Sequence, residues 1–447
     1  MASPADQMAA NINLGAFSKA TELKQRIWFT LGALIVYRIG AYIPIPGIDP
    51  VVLKDIFSQQ AGGILGMFDM FAGGALSRMT IFALNIMPYI SASIIMLLMG
   101  SVSPSIEALK KEGEAGRKKI NQYTRYGTVI IATLQAYGIA AGLEGMQSSA
   151  GSAVIDGGWF FKFTTVITLV GGTVFLMWLG EQITARGVGN GISLIIFSGI
   201  VAALPSAIAG TLELGRTGAL PALFIIFLLF MSVAVIAFIV FMERAQRRIL
   251  IQYPKRQQGN RQTGGESSHL PLKINTAGVI PPIFASSILL LPITVIGFSA
   301  GQGPEWLSTA AAYLGRGQPV YLALYIGLIV FFAFFYTAVV FNPVETADNL
   351  KKHGGFVPGI RPGKNTSKYL DYVLSRLTVV GAAYLALVCL LPEILISKFS
   401  VPFYFGGTSL LIVVSVTMDT VVQVQSHMLA HQYEGLIKKS KLRGKRK

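Results

Sequence analysis

Few side chains in this sequence have the type and spacing to do chemistry. His427 and His431 stand four apart, which puts two imidazoles on one helix face. A zinc site needs three or four ligands, and the whole chain has four His and one Cys. Two exposed histidines at the end of a helix is the simpler reading, and no metal is expected. PGIRPGKNT (358–366) has the look of a phosphate loop, but its first glycine is misplaced and Asn365 stands where a Ser or Thr hydroxyl is needed. It reads as a turn. RGVGNGIS (186–193) is Gly-rich but joins two apolar runs, which suits a tight helical hairpin. No HExxH or GxSxG occurs, and Cys389 lies in an apolar run, so neither catalysis nor a cofactor is expected.

The apolar runs are themselves nearly bare of charge. Arg38, Glu181, Glu393 and Asp419 fall near their ends, and the polar residues inside are mild: Asn85, Tyr89, Ser91, Ser93 and Gln135. Carriers of charged solutes place ionisable groups at mid-membrane. A solute transporter is therefore disfavoured without being excluded, and an intramembrane hydrolase lacks a nucleophile–base pair.

The elements that carry these residues are membrane spans. Only 13% of the 447 residues are charged, against about 25% in soluble domains. About 20 apolar residues cross a bilayer. Ten segments qualify: 25–43, 79–100, 122–142, 159–179, 191–210, 218–242, 276–298, 319–341, 377–396 and 404–426. The N-terminal stretch lacks the basic-then-apolar order of a cleaved signal, so insertion is expected to rely on the spans. Most of the 37 Lys and Arg fall in the tails and alternate loops of one face. That face, with both termini, is expected to be cytoplasmic. Part of the net charge of +16 serves orientation and contact with anionic lipid; ribosomal RNA is the sharper alternative.

The expected domains are a tail (1–24), a five-span half (25–210), a second half (211–426) and a basic tail (427–447). Pro88 in the second span and Pro281-Pro282 in the seventh occupy matching positions. Such matching interruptions point to an inverted repeat with a pathway between the halves. Loops 243–275 and 342–376 exceed the length of simple connectors. RILIQY reads as a short strand followed by a turn, and the pair of loops as either flexible basic segments or a docking surface.

FDMFAGGALSRMTIFALNIMPYISASII (68–95) is the most unusual stretch, because it interrupts a spanning segment with Gly73-Gly74, Arg78 and Pro88. Broken backbone at membrane depth is tolerated only inside protein or a wet cavity. A pore for unfolded polypeptide needs non-directional aliphatic walls that dewet when narrow. It also needs a stopper held by few contacts. A short Gly-rich half-helix ahead of a span fits that stopper, although Gly-Gly also fits a plain loop.

Eight motifs carry a resemblance across essentially the whole chain: IGAYIPIPGID (39–49), MFAGGALSRMTIFALNIMPYISASII (70–95), EGEAGRKKINQYTRYGT (112–128), MWLGEQITARGVGNGISLIIF (177–197), QRRILIQYPKRQQG (246–259), LPLKINTAGVIPPIFASS (270–287), VFNPVETADNLKKHGGFVPGIRPG (340–363) and PFYFGGTSLLIVVSV (402–416). The sequence resembles the SecY family, channel subunits of the bacterial Sec protein translocase. The resemblance implies an all-α polytopic fold, ten transmembrane helices in two pseudo-symmetric inverted halves around an hourglass pore. It implies a pore ring of Ile86, Ile90, Ile192, Ile196, Ile283 and Ile412. It implies a plug near 62–76, with Gly62, Gly63, Phe68, Met70, Phe71, Gly73 and Gly74. A lateral gate would part spans two and three from seven and eight, at Ser91, Ser93, Gln135, Ser286 and Ser287. Arg247, Arg248, Lys255, Arg256, Arg361 and Lys364 would dock cytosolic partners. Those partners would be the SecA motor ATPase and the ribosome, alongside SecE and SecG subunits, signal sequences, nascent polypeptide and anionic lipid. The location implied is the bacterial inner membrane. Pro282 departs from the expected IPAIF pattern and should stiffen the start of the seventh span.

Overall fold

The computed structural model describes residues 21–59, 69, 72–145, 147–148, 151–218, 221–254, 256–258, 261–263, 267–298, 313, 318–399 and 407–444. Long uncharged runs leave the backbone no water to bond with, so each closes its own hydrogen bonds as a helix. In the first half these are α1 (Thr21–Gly40), α2 (Pro50–Gln59), α3 (Met87–Val102), α4 (Pro104–Lys111), α5 (Glu114–Gly145), α6 (Trp159–Arg186) and α7 (Gly191–Arg216). A small hairpin of β1 (Gln147–Ser148) and β2 (Gly151–Ser152) joins α5 to α6. The second half has α8 (Ala222–Arg244), α9 (Ile280–Phe298), α10 (Pro319–Val340), α11 (Pro343–Lys352), α12 (Lys364–Phe399) and α13 (Gly407–Gly444). Between α8 and α9 lie β3 (Gln246–Gln252), β4 (Arg256–Gln258), β5 (Arg261–Thr263) and β6 (Ser267–Lys273).

Each of the ten expected spans overlaps one of these helices. Among the described residues, seven are long and apolar enough to cross a membrane by themselves, and α3 with α4 forms an eighth if that bent pair is one span. The bend between those two is 97°.

The second span differs from expectation. Residues 79–86 are buried, Ile81 only partly, but not helical, and the helix begins only at Met87. Pro88 sits in its first turn, where a missing N–H costs nothing, so it starts the helix rather than breaking it. The irregular run is held from outside: Ile45 N–H donates to the Met79 carbonyl and Ile81 N–H to Ile43. Pro281 and Pro282 likewise fall in the first turn of α9 and do not interrupt it.

Packing joins the halves along two seams. On one side α9 lies against α3 and α5; on the other α7 meets α8 and α13. One hydrophobic cluster draws on both halves, from Tyr37 and Ile86 to Phe284, Phe332 and Ile412. A second belongs to the C-terminal half alone, around Tyr325, Leu385 and Leu411.

Candidate functional site

Four helices bring the six expected ring residues together. Ile86 and Ile90 stand at the start of α3, Ile283 in the first turn of α9, and Ile412 near the start of α13. Ile192 and Ile196 stand at the start of α7, whose N-cap Asn190 accepts from the Ile192 and Ser193 N–H groups, satisfying two orphan donors. The Gly-rich link ahead of that cap is the expected tight turn. Its Val188 N–H donates to Thr30 Oγ1 on α1, and its Gly189 N–H to Gln423 Oε1 on α13. Ile86, Ile90, Ile196 and Ile412 are buried in the central cluster, and half-buried Ile192 and Ile283 pack against it. Aliphatic contact is non-directional, so such a cluster can part without stranding a hydrogen bond.

Against this cluster lies the segment that follows Asp69. Gly73 and Gly74 both hold left-handed backbone, φ +65° and +79°, which ends any helix there. A Cβ on Gly73 would come within 2.8 Å of the Gly199 Cα, one turn beyond Ile196 on α7. Residues 72–76, the described end of the expected plug, are a chain of turns, and Asp69 ahead of them is helical. This end is not held by few contacts. Arg38 Nη1 and Arg78 Nη2 both donate to the Gly73 carbonyl, at 3.4 and 3.1 Å. Tyr37 Oη donates to the Ala72 carbonyl, and the Ser77 N–H donates to Asp69 Oδ1 at 2.7 Å. Burial pushes the Asp69 carboxyl above its ordinary range, opposed by the Ser77 bonds. The Arg78 guanidinium stacks 4.2 Å over the Tyr42 ring, with Arg38 5.4 Å from the same ring. Gly62, Gly63, Phe68, Met70 and Phe71 lie outside the described residues.

The seam of α3 and α5 with α9 carries the expected gate residues. Ser287 Oγ donates to Met87 Sδ across it, 3.8 Å apart, which is a weak bond. Ser91, Ser286 and Ser287 are buried, and Ser93 and Gln135 are half-buried. Gln135 Oε1 is buried with no partner in the structure. Ser286 bonds back along its own helix to the Ile283 carbonyl, so it is not a cross-seam contact. Beyond the seam, Phe284 meets Phe332 of α10 edge-on, with ring centroids 5.6 Å apart.

The two long loops fold as one body. β3 and β6 pair antiparallel over their full length, from Gln246↔Lys273 to Gln252↔Ser267. Gln252 and Phe356 then exchange both backbone bonds. Ile249, Leu272, Ala347, Val357, Leu370 and Val373 form a core beneath. RILIQY is thus a strand as expected, and the flexible-loop alternative does not describe this pair. Arg247, Arg248, Arg361 and Lys364 are exposed on it. Lys255 lies outside the described residues; Arg256 is in β4, with its side chain outside them. His427 is exposed, and His431's side chain lies outside the described set.

Sequence reasoning missed Tyr37 and Arg38 as partners of the glycine pair, and Gly199 as the place where it lands. The signal available was Arg38, the one charged residue in the apolar stretch 27–40 of α1. It also missed the pair Arg125–Glu181, bidentate at 2.9 and 2.7 Å between α5 and α6.

Residues 80–421 match the family profile described as SecY. The chain belongs to the SecY family. It is 59% identical over 424 residues to the "Protein translocase subunit SecY" of Escherichia coli K12, covering 95% of this chain and 96% of that protein. Its fold is shared with a structure described as a protein-conducting channel, TM-score 0.65 at 18% identity, covering 91% of this chain and 92% of that one. It is shared equally with Sec61 in the canine ribosome–channel complex from the endoplasmic reticulum, TM-score 0.63 at 18% identity over the same shares. At such identities the likeness is one of fold.

Proposed function

We propose that this chain is the channel subunit of a bacterial Sec protein translocase. It passes unfolded secretory proteins across the inner membrane and releases transmembrane segments sideways. The observation that carries this reading is the meeting of six isoleucines, from four helices and both halves, in one apolar cluster. The glycine turn seats against the same helix one turn away. The family and the name of the E. coli relative support it.

Ten helices form two inverted halves, with both termini cytoplasmic. The isoleucines are the constriction, which seals by dewetting. The segment around Gly73-Gly74 is the plug. Its grip on Gly73 is two charge-assisted hydrogen bonds from Arg38 and Arg78, each a net of about 1.5–3 kcal/mol, within reach of what an entering chain can displace. The α3/α5–α9/α10 seam is the lateral gate, where small buried serines let helices part and close. The folded loop body docks the SecA motor or the translating ribosome through its exposed Arg and Lys. SecE, SecG, signal sequences, nascent chains and anionic lipid complete the partner set. The chain performs no catalysis, and energy comes from its partners.

The test is ionic. Serine at all six ring positions should raise ion conductance of membranes containing the channel while precursor transport continues. Unchanged conductance would remove the constriction from this reading.

A further inference from the structure

The helix on the C-terminal side of the seam is moored before it begins. Asn275 lies in the link between β6 and α9 and is buried, 4% exposed. Its Nδ2 donates to Glu243 Oε1 at 2.7 Å and to the Gly278 carbonyl at 3.1 Å. Glu243 is in the last turn of α8. Ile274 N–H adds a bond to the Ala245 carbonyl just past that helix, 3.1 Å. From a third direction α12 closes in at Gly381, where a Cβ would stand 2.9 Å from the Ile274 carbonyl oxygen. Ile274–Asn275 is therefore fixed to α8, to α12 and, through Lys273, to the β3–β6 ladder. Three residues on, Gly278 has φ +64°, and α9 starts at Ile280. The fixed point thus also holds the Gly278 turn, and that turn leads into a helix that must move if the seam is to open.

The 2.7 Å Glu243–Asn275 bond ties a side chain of α8 to the link itself. Lys273 and Asp419 are the other charges in its field.

We propose that Glu243 and Asn275 are positioning residues that couple a partner docked on the β3–β6 hairpin to movement of α9. Movement of the hairpin is delivered to the base of α9 through the moored point and the Gly278 turn that Asn275 holds. This rests on the reading of the α3–α9 seam as the gate.

The test uses the full chain in native membranes, with Cys389→Ala, Met87→Cys and Ser287→Cys, so that a seam disulfide reports closure. The probe is ribosomes carrying a stalled, signal-bearing nascent chain. In this parent, the ribosomes should lower disulfide yield about fivefold or more, the low end of allosteric couplings. Asn275→Ala and Glu243→Ala should bind ribosomes as the parent does, yet drop less than about twofold, a loss of most of that coupling. Glu243→Gln keeps an acceptor oxygen for Asn275 and should keep the parent's drop. Either alanine variant suffices if the other does not accumulate. A full drop in the alanine variants, or its loss in Glu243→Gln alone, would overturn the coupling role. No drop in the parent would overturn the gate reading and this proposal with it.

Discussion

The central cluster and the folded loop body are built in opposite ways. The cluster joins both halves through apolar side-chain packing, with aliphatic isoleucines at its centre and aromatic rings around them. The loop body is built from a seven-residue antiparallel ladder, a backbone exchange between Gln252 and Phe356, and a small core, with its charges outside. Ladders fix one register, whereas aliphatic packing tolerates parting and reclosing at no cost in orphaned polar groups. On the proposed reading, a path that must yield to every sequence uses contacts without direction, and a surface that must present one charge pattern to a partner uses contacts that have it.

The largest effect should come from abolishing the contrast at the centre. Each isoleucine withdrawn from water is worth about 1.5–3 kcal/mol. Serine at Ile86, Ile90, Ile192, Ile196, Ile283 and Ile412 together should therefore shift closure by well over tenfold, read as single-channel ion conductance. Next comes the docking body. Arg361→Glu places a like charge before any acidic partner, and charge mismatches at interfaces cost several kcal/mol. Motor- or ribosome-driven transport should fall tenfold or more, by about that energy scale, while ion conductance stays at the parent's level. Equal transport would deny Arg361 its docking role.

Two smaller effects sharpen the boundary of the central region. Gly73→Ala forces a Cβ against Gly199 and a left-handed alanine, strain of about 1–3 kcal/mol. The plug should seat less well, raising resting leak with transport intact. Arg38→Ala removes one of two donors to the Gly73 carbonyl, about 1.5 kcal/mol. Its leak should be smaller than that of Gly73→Ala, and the double variant Arg38→Ala with Arg78→Ala larger than either single one. Equal leak in all of them would mean that the two arginines do not hold the segment.

Long apolar runs made the spans legible, because their composition leaves helices as the only answer. The ring isoleucines were legible only through motif resemblance, since isoleucine is common in any membrane helix. Residues 79–86 were misread as helix for a physical reason: they are as apolar as a span, and what keeps them irregular is remote. Met79 and Ile81 bond to Ile45 and Ile43, more than thirty residues upstream, which periodicity cannot see. The hold on Gly73 was hidden in the same way, because Tyr37 and Arg38 come from α1. RILIQY showed its strand, but that it pairs with SSHLPLK and rests on the 342–376 loop was a tertiary outcome.

The central claim is that polypeptide passes through the isoleucine cluster. With Cys389 replaced and a single Cys at Ile90, a secretory precursor carrying its own Cys would be stalled halfway. A disulfide at this site that requires a functional signal sequence is the predicted result. No disulfide at Ile90, Ile192 or Ile283, with translocation otherwise normal, would mean that the path runs elsewhere and would contradict the account.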